Sequence, residues 1–276
     1  MRKEKRSIVI FCLFPGILLF GYTQALADWE AGAVLGFDTN IDRTVNNGRS
    51  DSYLTTYLSF LKDPSGESRV DWTLAATFEG TAFAKIGDLN YASLTLAPGL
   101  SFIPHRAWTI SLSPFVQGKA VVDNDESAIA FGGKLSLSQQ ISKDVYIGEY
   151  YIYEDSRANN DTNSFTEHAM GAFLGLNWTR RFFTEIGYEF SRGDFFRTVS
   201  TTPTTVSDGE RYGRYSTAFE EIVIPEQVDQ HTIGLSTGID WTESLFSHLT
   251  YTFTTIRGDS GTSTSHAGSV GIGYRF

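Results

Sequence analysis

The chain has 276 residues, 41% hydrophobic and 14% aromatic, and a formal net charge of −10 at pH 7. An acidic chain lacks the basic face that phosphate-backbone binding needs, which excludes nucleic acid as a partner. A mean hydropathy of −0.16 excludes a bundle of membrane helices, each of which needs about 20 consecutive apolar residues.

The N-terminus reads as an export signal. Arg2, Lys3, Lys5 and Arg6 form a basic start, Ile8 to Phe20 an apolar stretch interrupted by Pro15-Gly16, and Ala25-Leu26-Ala27 a small-x-small cleavage site. A retained anchor is the competing reading; the run is short for that, and no second apolar segment follows. Cleavage after Ala27 leaves residues 28–276 as one domain. Cys12, the only cysteine, departs with the signal, so the mature part is expected to have no disulfide and no thiolate chemistry. The signal carries four basic residues and one acidic one, so the remainder is more acidic still.

From Asp28 onward, apolar and polar residues alternate at period two, in segments separated by turn residues. In chain order the expected strands are Asp28–Asn40, Asp51–Leu61, Arg69–Lys85, Asn90–Phe102, Ala107–Val122, Ser127–Ile141, Val145–Asp155, Ser164–Trp178, Phe182–Arg192, Gln230–Trp241, Leu245–Ile256 and Ser265–Phe276. Most exceed the 5–6 residues common in soluble proteins and suit a tilted membrane strand of about 9–11. The fold class expected is all-β: a closed, antiparallel, up-and-down transmembrane β-barrel of twelve strands. The second, fourth, sixth, eighth and tenth connections are short, whereas the odd ones include Ile41–Ser50, Ser156–Asn163, Arg257–Thr264 and a long outer loop at about 193–229. Short turns on one side and longer loops on the other is the outer-membrane pattern, with both termini on the periplasmic side. Asp123–Glu126 is tight for an outer loop.

In each strand the more apolar register is expected to face lipid. It reads Trp29, Ala31, Ala33, Leu35, Phe37 in the first strand and Ile233, Leu235, Thr237, Ile239, Trp241 in the tenth. Lys or Arg on that face costs about 2–4 kcal/mol at the bilayer midplane. The strand charges are expected on the inner face: Glu30, Asp38, Asp71, Glu79, Lys119, Lys134, Glu149, Asp155, Glu185, Glu189, Asp240 and Arg275. Tyr151 and Tyr153 are expected inside, with Tyr53, Tyr57, Phe83, Phe115, Phe173 and Phe183. All five tryptophans, Trp29, Trp72, Trp108, Trp178 and Trp241, fall outward beside the short turns. An amphipathic indole prefers that depth, so they form one aromatic girdle. Phe37, Phe78, Tyr150, Tyr188, Phe190 and Phe253 form the expected outer one.

The last strand, Ser269-Val270-Gly271-Ile272-Gly273-Tyr274-Arg275-Phe276, resembles the C-terminal signal of bacterial outer-membrane barrel proteins. A terminal Phe follows outward residues at every second place, here Tyr274, Ile272 and Val270. The resemblance implies assembly by the outer-membrane insertion machinery, location in a Gram-negative outer membrane, and lipid as the surroundings. Gly36-Phe37-Asp38-Thr39-Asn40-Ile41 is similar to the opening of β-barrel porin families, with Phe37 where Tyr is usual. That implies a class and no particular solute.

The inner charges carry the chemistry. Rings of carboxylates favour cations, so the expected function is a narrow, weakly cation-preferring passive channel for small solutes. The bland account is that these residues pair and plug the barrel, as twelve strands lie between filled barrels of about 8 and water-filled ones of about 16. Lys134 and Glu149 are candidates to pair, and Arg275 with Glu30 to form an ion pair at the closing seam. A non-conducting barrel that binds through its loops is the alternative. The apolar stretch Thr217–Pro225 suits a segment folded onto the rim. A lipid hydrolase requires a histidine beside Ser or Thr; His168, His231 and His266 lie near the outer rim without the His-x-Ser pattern of outer-membrane phospholipases. Asp123-Asn124-Asp125-Glu126 lacks a fuller calcium-loop pattern, and Arg257-Gly258-Asp259-Ser260 reads as ordinary turn chemistry. No cofactor, metal site or catalytic group is expected. The sequence does not fix the oligomeric state.

Overall fold

Period-two alternation becomes strand wherever the sequence shows it. The structure is a computed structural model that describes residues 7–13, 17–23, 28–45, 48–65, 68–199, 214–216, 219 and 221–276. Arg2, Lys3, Lys5, Arg6 and the Ala25-Leu26-Ala27 site lie outside the described residues, as do 200–213. Ser7–Leu13 and Ile17–Thr23 pair as a separate two-stranded hairpin.

The barrel strands are β1 (Asp28–Asp38), β2 (Asp51–Lys62), β3 (Val70–Phe83), β4 (Tyr91–His105), β5 (Trp108–Val121), β6 (Ala128–Gln140), β7 (Val145–Ala158), β8 (Phe165–Asn177), β9 (Phe182–Val199), β10 (Glu221–Asp240), β11 (Leu245–Gly258) and β12 (Gly261–Arg275). Each is antiparallel to its sequence neighbour, and β12 pairs with β1 from Ala267↔Asp38 to Arg275↔Glu30. The ring of twelve is therefore closed, and no strand edge is left unpaired around it. No helix of the described residues is long and apolar enough to cross a membrane; the barrel crosses with strands.

The outer face is apolar. Leu35, Phe78, Leu94, Leu112, Ile186, Ile233, Leu249 and Val270 are all exposed there. Such a belt is stable only against lipid. The five tryptophans stand on this face at the short-turn end, each about half exposed. Trp178 Nε1 donates to Thr184 Oγ1 at 3.1 Å and Trp241 Nε1 to Ser247 Oγ at 2.9 Å, so these indole N–H groups are satisfied without water.

Strand β7 is the exception to the expected facing. Glu149, Tyr151, Tyr153 and Asp155 pair with Leu137, Leu135, Gly133 and Phe131 of β6. Directly opposed residues share a face, and Leu135 and Phe131 are exposed on the outer one. Glu149, Tyr151 and Tyr153 therefore do not line the lumen, and Asp155 does not either. Tyr150, expected in the outer girdle, is buried inside with Tyr146. The pairing of Lys134 with Glu149 fails for the same reason: Lys134 opposes Ile152 on the inner face. A shift of one residue exchanges every side chain between faces, and tyrosine suits either one.

The segment expected as a long loop is also different. β9 runs on to Val199 and β10 begins at Glu221, so the two remain paired as far as Val199↔Ile222. They rise about six residues beyond their flanking strands, because β8 pairing stops at Gly193 and β11 pairing at Asp229. A short strand, Arg214–Ser216, pairs with the top of β10.

Candidate functional site

The inner wall is built from rungs in which a ring lies flat over a glycine. Tyr57 opposes Gly32, Phe115 Gly132, Tyr150 Gly171, Tyr146 Gly175, Phe183 Gly238 and Phe246 Gly273. A Cβ at any of these glycines would meet the ring at 2.0–2.6 Å. The missing side chain lets the ring lie along the wall instead of projecting across the barrel. Beyond each tyrosine ring stands a carboxylate. Tyr146 donates through its hydroxyl to Glu185, and Tyr150 to Glu189 Oε2 at 2.6 Å. Tyr57 donates to Glu30 Oε1 at 2.9 Å, and Tyr91 to Glu79 Oε1 at 3.0 Å.

These hydrogen bonds place Glu79, Glu185 and Glu189 in the lumen. Lys119 Nζ lies 4.7 Å from the Tyr91 ring centroid and Lys134 Nζ 4.9 Å from that of Tyr150. Both amines thus use ring faces on the same wall. Glu154 and Glu167 are also buried in the upper lumen, paired with each other across β7 and β8. Glu154 was hidden by the misread facing of β7. Beside Glu185 and Glu189 lies a small open cavity, lined also by Tyr150, Phe173, Thr232 and Thr250.

At the tryptophan end, Arg275 Nε lies 3.5 Å from Glu30 Oε2, and Arg275 Nη1 donates to Asp240 Oδ1 at 2.9 Å. The guanidinium sits 4.3 Å from the Phe246 ring centroid. The seam pair is thus a triad spanning β12, β1 and β10. Asp71 stands at this end too, 3.6 Å from Lys62 Nζ.

The other mouth is spanned. The extended β9–β10 hairpin carries Phe196, Phe219 and Val223 onto Leu89, Ile41, Phe83 and Ile86. Leu89 and Ile86 belong to the loop between β3 and β4, half the ring away from β9 and β10. The base of this strap is fixed by Phe195 and Val228 against Phe165 and Ile256. Arg197, 1% exposed, latches it: Nη1 lies 3.2 Å from Glu226 Oε2 and donates to Gly261 O at 2.9 Å, while Nε donates to Arg43 O at 3.2 Å. Thr198 Oγ1 donates to Asp42 O at 3.1 Å. Arg43, with φ +55°, holds its guanidinium 5.0 Å from the Phe195 centroid. Burial pushes the Arg43 guanidinium below its usual range, opposed by Glu167 and Asp38.

The three rim histidines are each hydrogen-bonded to a tyrosine hydroxyl through Nδ1; they do not form a Ser-His arrangement. Asp123–Glu126 is a turn capped by the Asp123 side chain on Asp125 N, and no metal-holding cluster occurs among the described residues.

No family model matches this sequence, and no curated protein matches it. Its fold is similar to solved barrels. The NanC porin shares 10% identity, with 88% of this chain and 98% of that chain covered, at a TM-score of 0.54. The KdgM porin in complex with disordered oligogalacturonate shares 9% identity, with 90% and 99% covered, at a TM-score of 0.50. At such identities the likeness is one of fold.

Proposed function

We propose that the chain is a porin-like barrel of a Gram-negative outer membrane. In this reading it passes small solutes through a narrow lumen with a weak preference for cations. The observation that carries the proposal is the composition of the inner wall. Glu79, Glu154, Glu167, Glu185 and Glu189 face Lys119 and Lys134 there, and four of the carboxylates are buried. A ring in which carboxylates outnumber amines favours cations. The porin-type fold, the apolar belt and the single tryptophan girdle support the membrane placement, with the tryptophan end toward the periplasm. Tyr274 and Phe276 stand exposed on the outer face beside this girdle.

The strap makes the second reading specific. A latch on a fully buried arginine favours a barrel that stays shut while its loops bind a partner. Single-channel recording in planar bilayers under a potassium chloride gradient separates the two. The channel reading expects a small conductance with a cation-directed reversal potential, and a larger conductance once Pro203 to Pro225 are deleted. Silence from both the full chain and the deletion variant, each shown to be folded by heat-modifiable gel mobility, overturns it.

A further inference from the structure

Three of the six hairpins carry the same device on their outer face. Tyr151 stands six residues after the start of β7, Tyr188 six after the start of β9 and Tyr251 six after the start of β11. His168, His231 and His266 each stand nine residues before the end of the following strand. Each hydroxyl meets the neighbouring Nδ1, at 2.7, 2.8 and 2.7 Å. Two residues past each tyrosine, a second ring packs on the imidazole: Tyr153, Phe190 and Phe253, at centroid distances of 5.1, 5.2 and 4.9 Å. The three imidazoles therefore stand at one height, on every second strand, about 10 Å apart by strand spacing.

The pairing fixes what each ring offers. A phenol is the stronger donor of the two groups, so it donates to Nδ1 and the neutral ring keeps its proton on Nε2. A protonated ring also donates from Nε2. Each histidine thus presents an N–H toward the headgroup layer from a ring held on two sides. Above this tier on the same outer face stand Arg157, Arg192 and Arg257, one to each hairpin, all exposed. Asp155 engages Arg157, and Asp229 with Gln227 engages Arg192; these acidic groups leave guanidinium N–H groups to spare. The upper outer face of β1–β6 has neither feature: Phe37, Phe78, Leu94, Val116 and Phe131 occupy it.

We infer that the upper rim of β7–β12 is a docking face for phosphate-bearing lipid headgroups, with the histidine N–H groups and the arginines as donors and the aromatic wall below them taking the acyl chains. Charge complementarity and a repeated donor geometry beside an apolar wall argue for lipid as the occupant. The inference rests on the membrane placement and not on conduction, so failure of one leaves the other measurable.

The full chain, refolded in detergent, is exposed to equal amounts of phosphatidic acid and phosphatidylcholine, and the bound lipid is counted by native mass spectrometry. Phosphatidic acid is expected to be retained several-fold over phosphatidylcholine. H168F/H231F/H266F keeps three rings and removes three donors; it should lose most of that preference. The corresponding glutamine triple variant keeps a donor and should restore part of it. Each single His→Phe variant should lose a fraction, which gives the answer even if the triple variant does not fold. Equal preference in the wild type and the phenylalanine variants overturns the inference. So does full displacement by millimolar inorganic phosphate, which would mark a free-anion site instead of a lipid one.

Discussion

The two ends of the barrel are each pinned by an arginine paired with acid, yet they hold different things. At the tryptophan end Arg275 joins Glu30 and Asp240, so three strands meet at the closing seam. At the loop end Arg197 joins Glu226 and the carbonyls of Arg43 and Gly261, so a hairpin is tied to the β1–β2 loop and to the start of β12. The first lies on the β12–β1 pairing that closes the ring. The second joins Glu226 of the same hairpin to carbonyls from two other parts of the rim. Closure alone therefore secures one end, and the other depends on a latch that can be undone separately.

The largest effect should come from breaking the seam. Arg275→Ala leaves Glu30 and Asp240 without their guanidinium, and stranding a largely buried carboxylate costs about 3–5 kcal/mol. Urea unfolding of the refolded barrel should show a lowered midpoint; an unchanged midpoint would mean the triad is incidental to closure. Arg197→Ala leaves Glu226 with Ser260 as its remaining donor, and the damage should stay local. Hydrogen exchange should quicken in 194–199 and 221–228 while β1–β6 stay protected, and single-channel conductance should rise several-fold. A uniform loss of protection would contradict the separation of the two ends.

A smaller effect concerns pH. Glu126 lies beyond the strands at the strapped mouth, and burial pushes its carboxyl up to about 7, with Lys119 opposing and Asp123 and Asp125 adding to the rise. The raised value means that its contribution to stability is complete below about pH 4.5 and is lost as pH rises through about 7. Ionisation over the same window adds a negative charge beside Lys119. Cation preference should therefore increase from pH 6 to pH 8, and Glu126→Gln should flatten that slope. The smallest effect is at Glu149, which faces outward between Leu137 and Ala172. Glu149→Leu should raise stability in lipid vesicles by about 1 kcal/mol, since an acidic group on the lipid face costs less than a basic one. A fall would show that something other than lipid covers it.

The tryptophan end was legible in the sequence because its signals are local. Indoles, short turns and the terminal Phe276 are each read within a few residues, and the Arg275–Glu30 contact follows from closure. The facing of eleven strands was legible because charge and apolarity agree within each. β7 was not: Tyr146, Tyr150, Tyr151 and Tyr153 supply rings to both faces, and only pairing with β6 decides between them. The strap was legible in part, since Thr217–Pro225 is apolar enough to fold onto the rim, but its partners were not. Phe196, Phe219 and Val223 find their partners in Leu89 and Ile86, more than 100 residues away along the chain, and no period in the hairpin points there. The tyrosine–histidine pairs were missed because they join residues of neighbouring strands, and a strand's own sequence does not show which residue opposes it.

The rungs of ring over glycine carry a consequence for calibre. Along β7 and β8 the bore is set by residues that have no side chain, because Gly171 and Gly175 are what allow Tyr150 and Tyr146 to recline. One added methyl at Gly171 meets the Tyr150 ring at 2.4 Å and tips it toward the axis, carrying its hydroxyl away from Glu189. An alanine there would thus narrow the conduit and unsheathe a negative charge in a single step, so width and selectivity are not independent dials in this barrel.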